Sequence, residues 1–97
     1  MGAAIAVTVW GENWHDRHNE AARRVYPEGM HTAIARGLAG SADLKVRAVT
    51  LDQPDQGLPD SVLGATDVLT WWGHVKHADV DDALVDRVQK RVLEGMA

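Results

Sequence analysis

The chain has 97 residues, 45% hydrophobic and 25% charged, with no cysteine and a formal net charge of −4. One domain fits that length, the hydrophobic share excludes a disordered polymer, and the missing cysteine excludes disulfide frameworks, thiolate metal sites and cysteine nucleophiles. The acidic balance argues against nucleic acid or an anionic membrane as partner, and no apolar run approaches the ~18 residues of a membrane span.

Ala4 to Trp10 (AIAVTVW) is an apolar, β-branched run closed by Gly11, the pattern of a strand buried on both faces. No positive segment precedes it, so it reads as a strand and not a signal peptide, which makes the expected location cytoplasmic. Asn19 to Val25 is helical in composition and is interrupted by Tyr26-Pro27. Proline suits a first helical turn, so a second helix is expected from Pro27 to Leu38, with Met30, Ile34 and Leu38 on one face. Leu44 to Leu51 (LKVRAVTL) alternates apolar and polar residues, as an edge strand does. Asp52 to Asp60 is a loop rich in Asp and Pro, and a short helical turn fits Asp60 to Leu63. Thr66 to Trp72 (TDVLTWW) gives a third strand closed by Gly73. The loop GHVKHAD leads to a last helix over Val80 to Met96, N-capped by Asp79, with Val80, Leu84, Val88, Val92 and Met96 as its buried stripe. Lys45, Arg47, Arg87, Lys90 and Arg91 read as solvated faces, and His31 as a surface residue.

Strands alternating with helices imply a doubly wound α/β layer with a parallel sheet. In such sheets ligands bind beyond the carboxyl ends of the strands where the strand order reverses, which for order 2-1-3 lies between the first and third strands. The extensions of those strands, WGENWHDRH from Trp10 and WWGHVKH from Trp71, each carry Trp, then Gly, then two His three residues apart. One crevice would therefore gather all four Trp and four of the five His. Neutral imidazoles ligate a divalent metal such as Zn, with Glu12 or Asp16 completing a mixed set; the same histidines equally serve as general acid and base. An exposed indole face would stack on a sugar ring, whereas one of Trp71 and Trp72 should point into the core. There is no G-x-G-x-x-G after the first strand, no phosphate-binding G-x-x-x-x-G-K-[ST] and no G-x-S-x-G elbow.

The segments VTVWGENWH (Val7 to His15), NEAARRVYPEGMHTAIARGL (Asn19 to Leu38), TDVLTWWGHVKHADV (Thr66 to Val80) and VQKRVLEGM (Val88 to Met96) together resemble the ThuA-like trehalose-utilisation proteins over nearly the whole chain. The resemblance implies a flavodoxin-like three-layer fold of the class I glutamine amidotransferase-like superfamily. Residues 1–97 would be the N-terminal part of a single domain, truncated before a further strand and an H-S-G-H segment. It also implies a place in disaccharide and keto-sugar metabolism, with trehalose or a keto-disaccharide as the small-molecule partner and with no nucleic acid or membrane; a homo-oligomer is compatible. The positions that match the family motif are Trp10, Glu12, His15, Tyr26, Trp72, Gly73, His74 and His77. On this basis His15, His74, His77 and Glu12 are the expected catalytic groups, and the three histidines the expected metal ligands. Trp10, Tyr26, Trp72 and Gly73 are then the expected sugar contacts. The loop from Asp52 departs from the family at Gln56, where relatives often have His, and at Pro59, where they often have Thr. A non-catalytic binding or regulatory module of the same fold is the competing expectation.

Overall fold

The structure is a computed structural model describing residues 4–97. Strand β1 (Ile5–Gly11) is the centre of the sheet, because its β-branched and aromatic residues suit burial on both faces: Val7, Val9 and Trp10 are 4%, 1% and 1% exposed. It pairs in parallel with β2 (Leu44–Thr50) on one side and β3 (Val68–Trp72) on the other, giving the order β2-β1-β3. The chain is thus an α/β fold with a three-stranded, all-parallel sheet in the order expected, consistent with a flavodoxin-like arrangement. Edge strand β2 exposes Lys45 and Arg47, as its alternation foretells. The buried Thr8 hydroxyl is satisfied by the Thr66 hydroxyl at 2.7 Å, and Thr66 in turn donates to the Val62 carbonyl at 2.8 Å.

Three helices make the crossover from β1 to β2: α1 (His15–His18), α2 (Glu20–Val25) and α3 (Met30–Ala39). Asn19 caps α2 by accepting the Ala22 N–H at 2.9 Å. The short α1 was not expected, and α3 begins at Met30 instead of Pro27. The cause of the later start is Gly29, whose φ of 90° breaks the helical path, while the distant Asp16 carboxylate accepts the Met30 N–H at 2.8 Å. Alternation along β1 puts Gly11 on the sheet face covered by α3, where His31 is its nearest neighbour. Trp10 points to the opposite face and packs with Val49, Leu58 and Leu84 in the main core.

A 3₁₀ turn (Pro54–Gly57) and helix α4 (Asp60–Leu63) lead into β3, and a second 3₁₀ turn (His77–Asp79) precedes α5 (Asp82–Leu93). The last helix therefore starts after Asp81, not at Val80 behind an Asp79 cap. The Gln56 side chain accounts for this: its Nε2 donates to the Asp79 carbonyl at 2.7 Å and its Oε1 accepts the Asp81 N–H at 3.0 Å, so the Asp79 carbonyl has its partner outside the helix. The expected stripe also drifts. Successive i+4 positions rotate by ~40°, and although Leu84 is 2% exposed, Val92 has turned out to 52%. Arg87 and Arg91 take the inner positions beside Val88. Arg87 donates to the Leu58 carbonyl at 3.0 Å and to Asp60 at 2.8 Å. Arg91 donates to the carbonyls of Leu63 at 3.1 Å and Thr66 at 2.6 Å. These two arginines are half-buried clamps, not a solvated face. On the outer edge of β3, Ala97 N–H donates to Asp67 at 3.0 Å and Ala97 C=O accepts from Leu69 at 2.8 Å, a parallel-ladder pattern. Among the described residues no helix is long and apolar enough to cross a membrane.

Candidate functional site

The segments leaving the carboxyl ends of all three strands enclose a cleft of about 320 Å³, lined among others by Trp14, Arg17, Asp52, Gln56, Lys76 and Asp79. This is the position that the doubly wound topology reserves for ligands. Two buried carboxylates, Glu12 and Asp16, hold the segments that follow β1 and β3. Glu12 follows β1 directly, and Gly11 stands in register with Trp72, so the Glu12 side chain reaches across to the loop after β3. It is 2% exposed, and its two oxygens accept the N–H groups of Val75 and Lys76, each at 2.9 Å. Burial alone would raise its pKa; the N–H groups of Val75, His74 and Lys76, with the nearby His77, outweigh this and hold it below the usual carboxylate value. Glu12 thus anchors the His74-to-His77 loop, and both of its oxygens are engaged. Asp16, 5% exposed, is the cap of α3 in the same manner.

The aromatic residues divide differently from the expectation. Trp10 is 1% exposed, stacks on Trp71 with centroids 3.7 Å apart at 10°, and donates its Nε1–H to the Gln56 carbonyl at 2.8 Å. No indole face of Trp10 is left for a ligand, so it is the floor of the site and not a sugar platform. Trp14 takes the cleft position: it is 38% exposed, its ring lies 4.7 Å from the Lys76 ammonium, and His18 stacks on it at 4.4 Å. Trp72 is half-buried and packs against His74 at 5.3 Å, and the His15 ring meets His74 edge-on at 4.9 Å. Trp72, His74 and His15 therefore converge. His77 lies against Gly73, where an added Cβ would sit 2.7 Å from the His77 ring, so the absence of a side chain at Gly73 makes room for that ring. Among the described residues no group of three or more His, Cys, Asp or Glu side chains is disposed to hold a metal ion, so the three histidines do not form the expected chelate. Tyr26 is half-buried at the C-terminus of α2, and it does not line the cleft.

Two ion pairs rim the cleft: Arg17 with Asp52 at 3.0 Å, and Lys76 with Asp79 at 3.7 Å. Burial raises the Asp52 pKa, but hydrogen bonds from the Thr50 hydroxyl and its own backbone, together with Arg17 and Asn13, bring it below the ordinary value. His31, expected at the surface, is instead packed under the site. Its Nδ1 is buried without a hydrogen-bond partner, and burial lowers its pKa against the opposing pull of Asp16 and Asp52. The space for its ring comes from Gly11 and Gly29, which are distant in sequence and gave no joint signal. No protein-family model matches the chain, and no curated protein matches it significantly.

Proposed function

We propose that the chain is a ThuA-like protein of disaccharide and keto-sugar metabolism, of the class I glutamine amidotransferase-like superfamily, which binds trehalose or a keto-disaccharide in the cleft above the strand ends. The observation that carries this reading is the chemistry of the cleft. A partly exposed indole, Trp14, stands in a space of about 320 Å³ rimmed by the Arg17–Asp52 and Lys76–Asp79 pairs. The paired cations and carboxylates supply donors and acceptors for sugar hydroxyls, and the Trp14 ring, stacked by His18 and covered by the Lys76 ammonium, receives the C–H side of a sugar when one of those two contacts gives way. The volume sits at the small end of the ~300–1,000 Å³ range of ligand pockets, enough to enclose one ring and leave the rest of the sugar outside. His74 and His15 stand together beside Trp72, outside the residues that line the cleft, and would serve as the acid–base pair for the part of the sugar that extends beyond it.

Non-catalytic binding at the same cleft is favoured by one specific observation, that the Glu12 and Asp16 carboxylates are committed to backbone N–H groups. Titration of trehalose and of a 3-keto-disaccharide against intrinsic tryptophan fluorescence tests the reading. A saturable change that disappears in Trp14→Ala is expected. No response at millimolar sugar from the folded protein overturns it. Turnover of the keto-sugar that is lost in His74→Ala separates the enzyme from the binding module.

A further inference from the structure

We infer that Gln56 is the positioning residue of the cleft, setting the distance between its two walls and thereby its affinity for a polyhydroxylated ring. The inference rests on the sugar reading for its ligand, and on geometry alone for the residue. Asp55 and Gln56 both adopt left-handed backbone, φ 54° and 55°, and Gly57 follows at φ 81°. Two consecutive non-glycine residues in that region carry strain that surrounding contacts have to hold in place. Three hydrogen bonds do so. The Gln56 carbonyl accepts the Trp10 indole N–H at 2.8 Å, its Nε2 donates to the Asp79 carbonyl at 2.7 Å, and its Oε1 accepts the Asp81 N–H at 3.0 Å. One residue thus joins the end of β1, the loop after β2 and the start of α5.

The consequence reaches the ligand side of the cleft through Asp79. With its carbonyl tied to Gln56, Asp79 presents its carboxylate to Lys76 at 3.7 Å, and Lys76 in turn lies 4.7 Å over the Trp14 ring. Across the cleft, Asp52 stands in the same loop as Gln56 and pairs with Arg17 at 3.0 Å. A primary amide is suited to this task because it donates and accepts at once; a carboxylate only accepts. Gln56→Glu would keep the bond from Asp81 N–H and set an oxygen against the Asp79 carbonyl.

The test uses the full chain, with trehalose as the probe and tryptophan fluorescence as the readout. Gln56→Glu, which loses one side-chain hydrogen bond, and Gln56→Ala, which loses two, are each expected to weaken trehalose binding by at least about tenfold near pH 7. As pH falls from about 7 to about 4, the carboxylate introduced by Gln56→Glu takes up a proton and regains a donor, so the affinity ratio of Gln56→Glu to wild type should close toward one, the native carboxylates being common to both proteins. That recovery is a signature that a residue serving stability alone would not give. Wild-type affinity in Gln56→Ala, or a Gln56→Glu ratio that stays constant with pH, overturns the inference. If the wild-type protein itself shows no response to trehalose, the sugar reading fails, and hydrogen exchange without ligand decides the role of Gln56. Exchange of the Asp81 amide and the Trp10 indole N–H accelerated about tenfold in Gln56→Ala supports the strut, whereas unchanged exchange overturns it.

Discussion

Glu12 follows Gly11 in the chain and His31 packs against Gly11, and burial acts on the two to opposite electrical effect. Glu12 is kept ionised by the loop N–H groups it accepts; His31 is kept neutral by its burial. Replacing Glu12 by Gln leaves one acceptor and turns an NH₂ group toward the second loop N–H, so a loss of about 1–3 kcal/mol is expected in urea denaturation. The pH dependence has a definite sign. The folded-state pKa of Glu12 lies below its unfolded value, so its stabilisation is complete above the unfolded pKa and is lost as pH falls through the folded one. The acid limb of the stability profile should therefore be shallower in Glu12→Gln than in wild type, and an unchanged limb would remove this carboxylate from the account. The tryptophans show how far single residues can be read from sequence. That Trp clusters at the strand ends followed from position in the chain. Which indole lines the cleft did not follow, because β1 is buried on both faces and period-two alternation carries no contrast there. Trp14, reached by the turn into α1, became the cleft aromatic because Asn13 takes left-handed backbone, φ 57°, just before it.

At the level of elements, the strands were legible and the helix starts were not. Apolar runs closed by Gly marked β1 and β3, and alternation marked β2. Helices α3 and α5 both begin later than their local signals suggest, since the groups that fix their first turns, Asp16 and Gln56, come from elsewhere in the chain. The stripe was legible at Leu84, Val88 and Met96 and broke at Val92, because a strict i+4 series winds away from the core within α5 while the turn after Leu93 brings Met96 back inside. Arg91 fills the gap with an aliphatic stem and a guanidinium that reaches two carbonyls, Leu63 and Thr66. A lysine has one nitrogen and cannot reproduce that fork. Arg91→Lys should lower stability by about 1–2 kcal/mol by thermal or urea unfolding, with Arg91→Ala costing more through the lost stem. Equal stability of Arg91→Lys and wild type would show the clamp to be a surface pairing.

Across the whole molecule, the layers are staggered: α3 covers β1 and β2 on one face, while Leu58 and Leu84 close over Trp10 on the other. Among the described residues, only β1 is flanked by a strand on both sides. Native-state hydrogen exchange should accordingly be slowest at Val7 to Trp10 and faster at the Trp71 amide, which by alternation with Leu69 faces the outer edge of β3. Equal protection of Trp71 and Val9 would contradict the edge assignment. The parallel order and the cleft beyond the strand ends are the parts of this architecture that sequence pattern reaches, since both follow from strand–helix alternation. The stacked Trp10 and Trp71 rings, 3.7 Å apart, have a consequence of another kind. Two indoles this close share their electronic excitation, so the molecule carries a coupled chromophore at the boundary between β1 and β3. With Trp10 hydrogen-bonded to Gln56, that chromophore touches the underside of the cleft, and circular dichroism can follow events above it with no label attached.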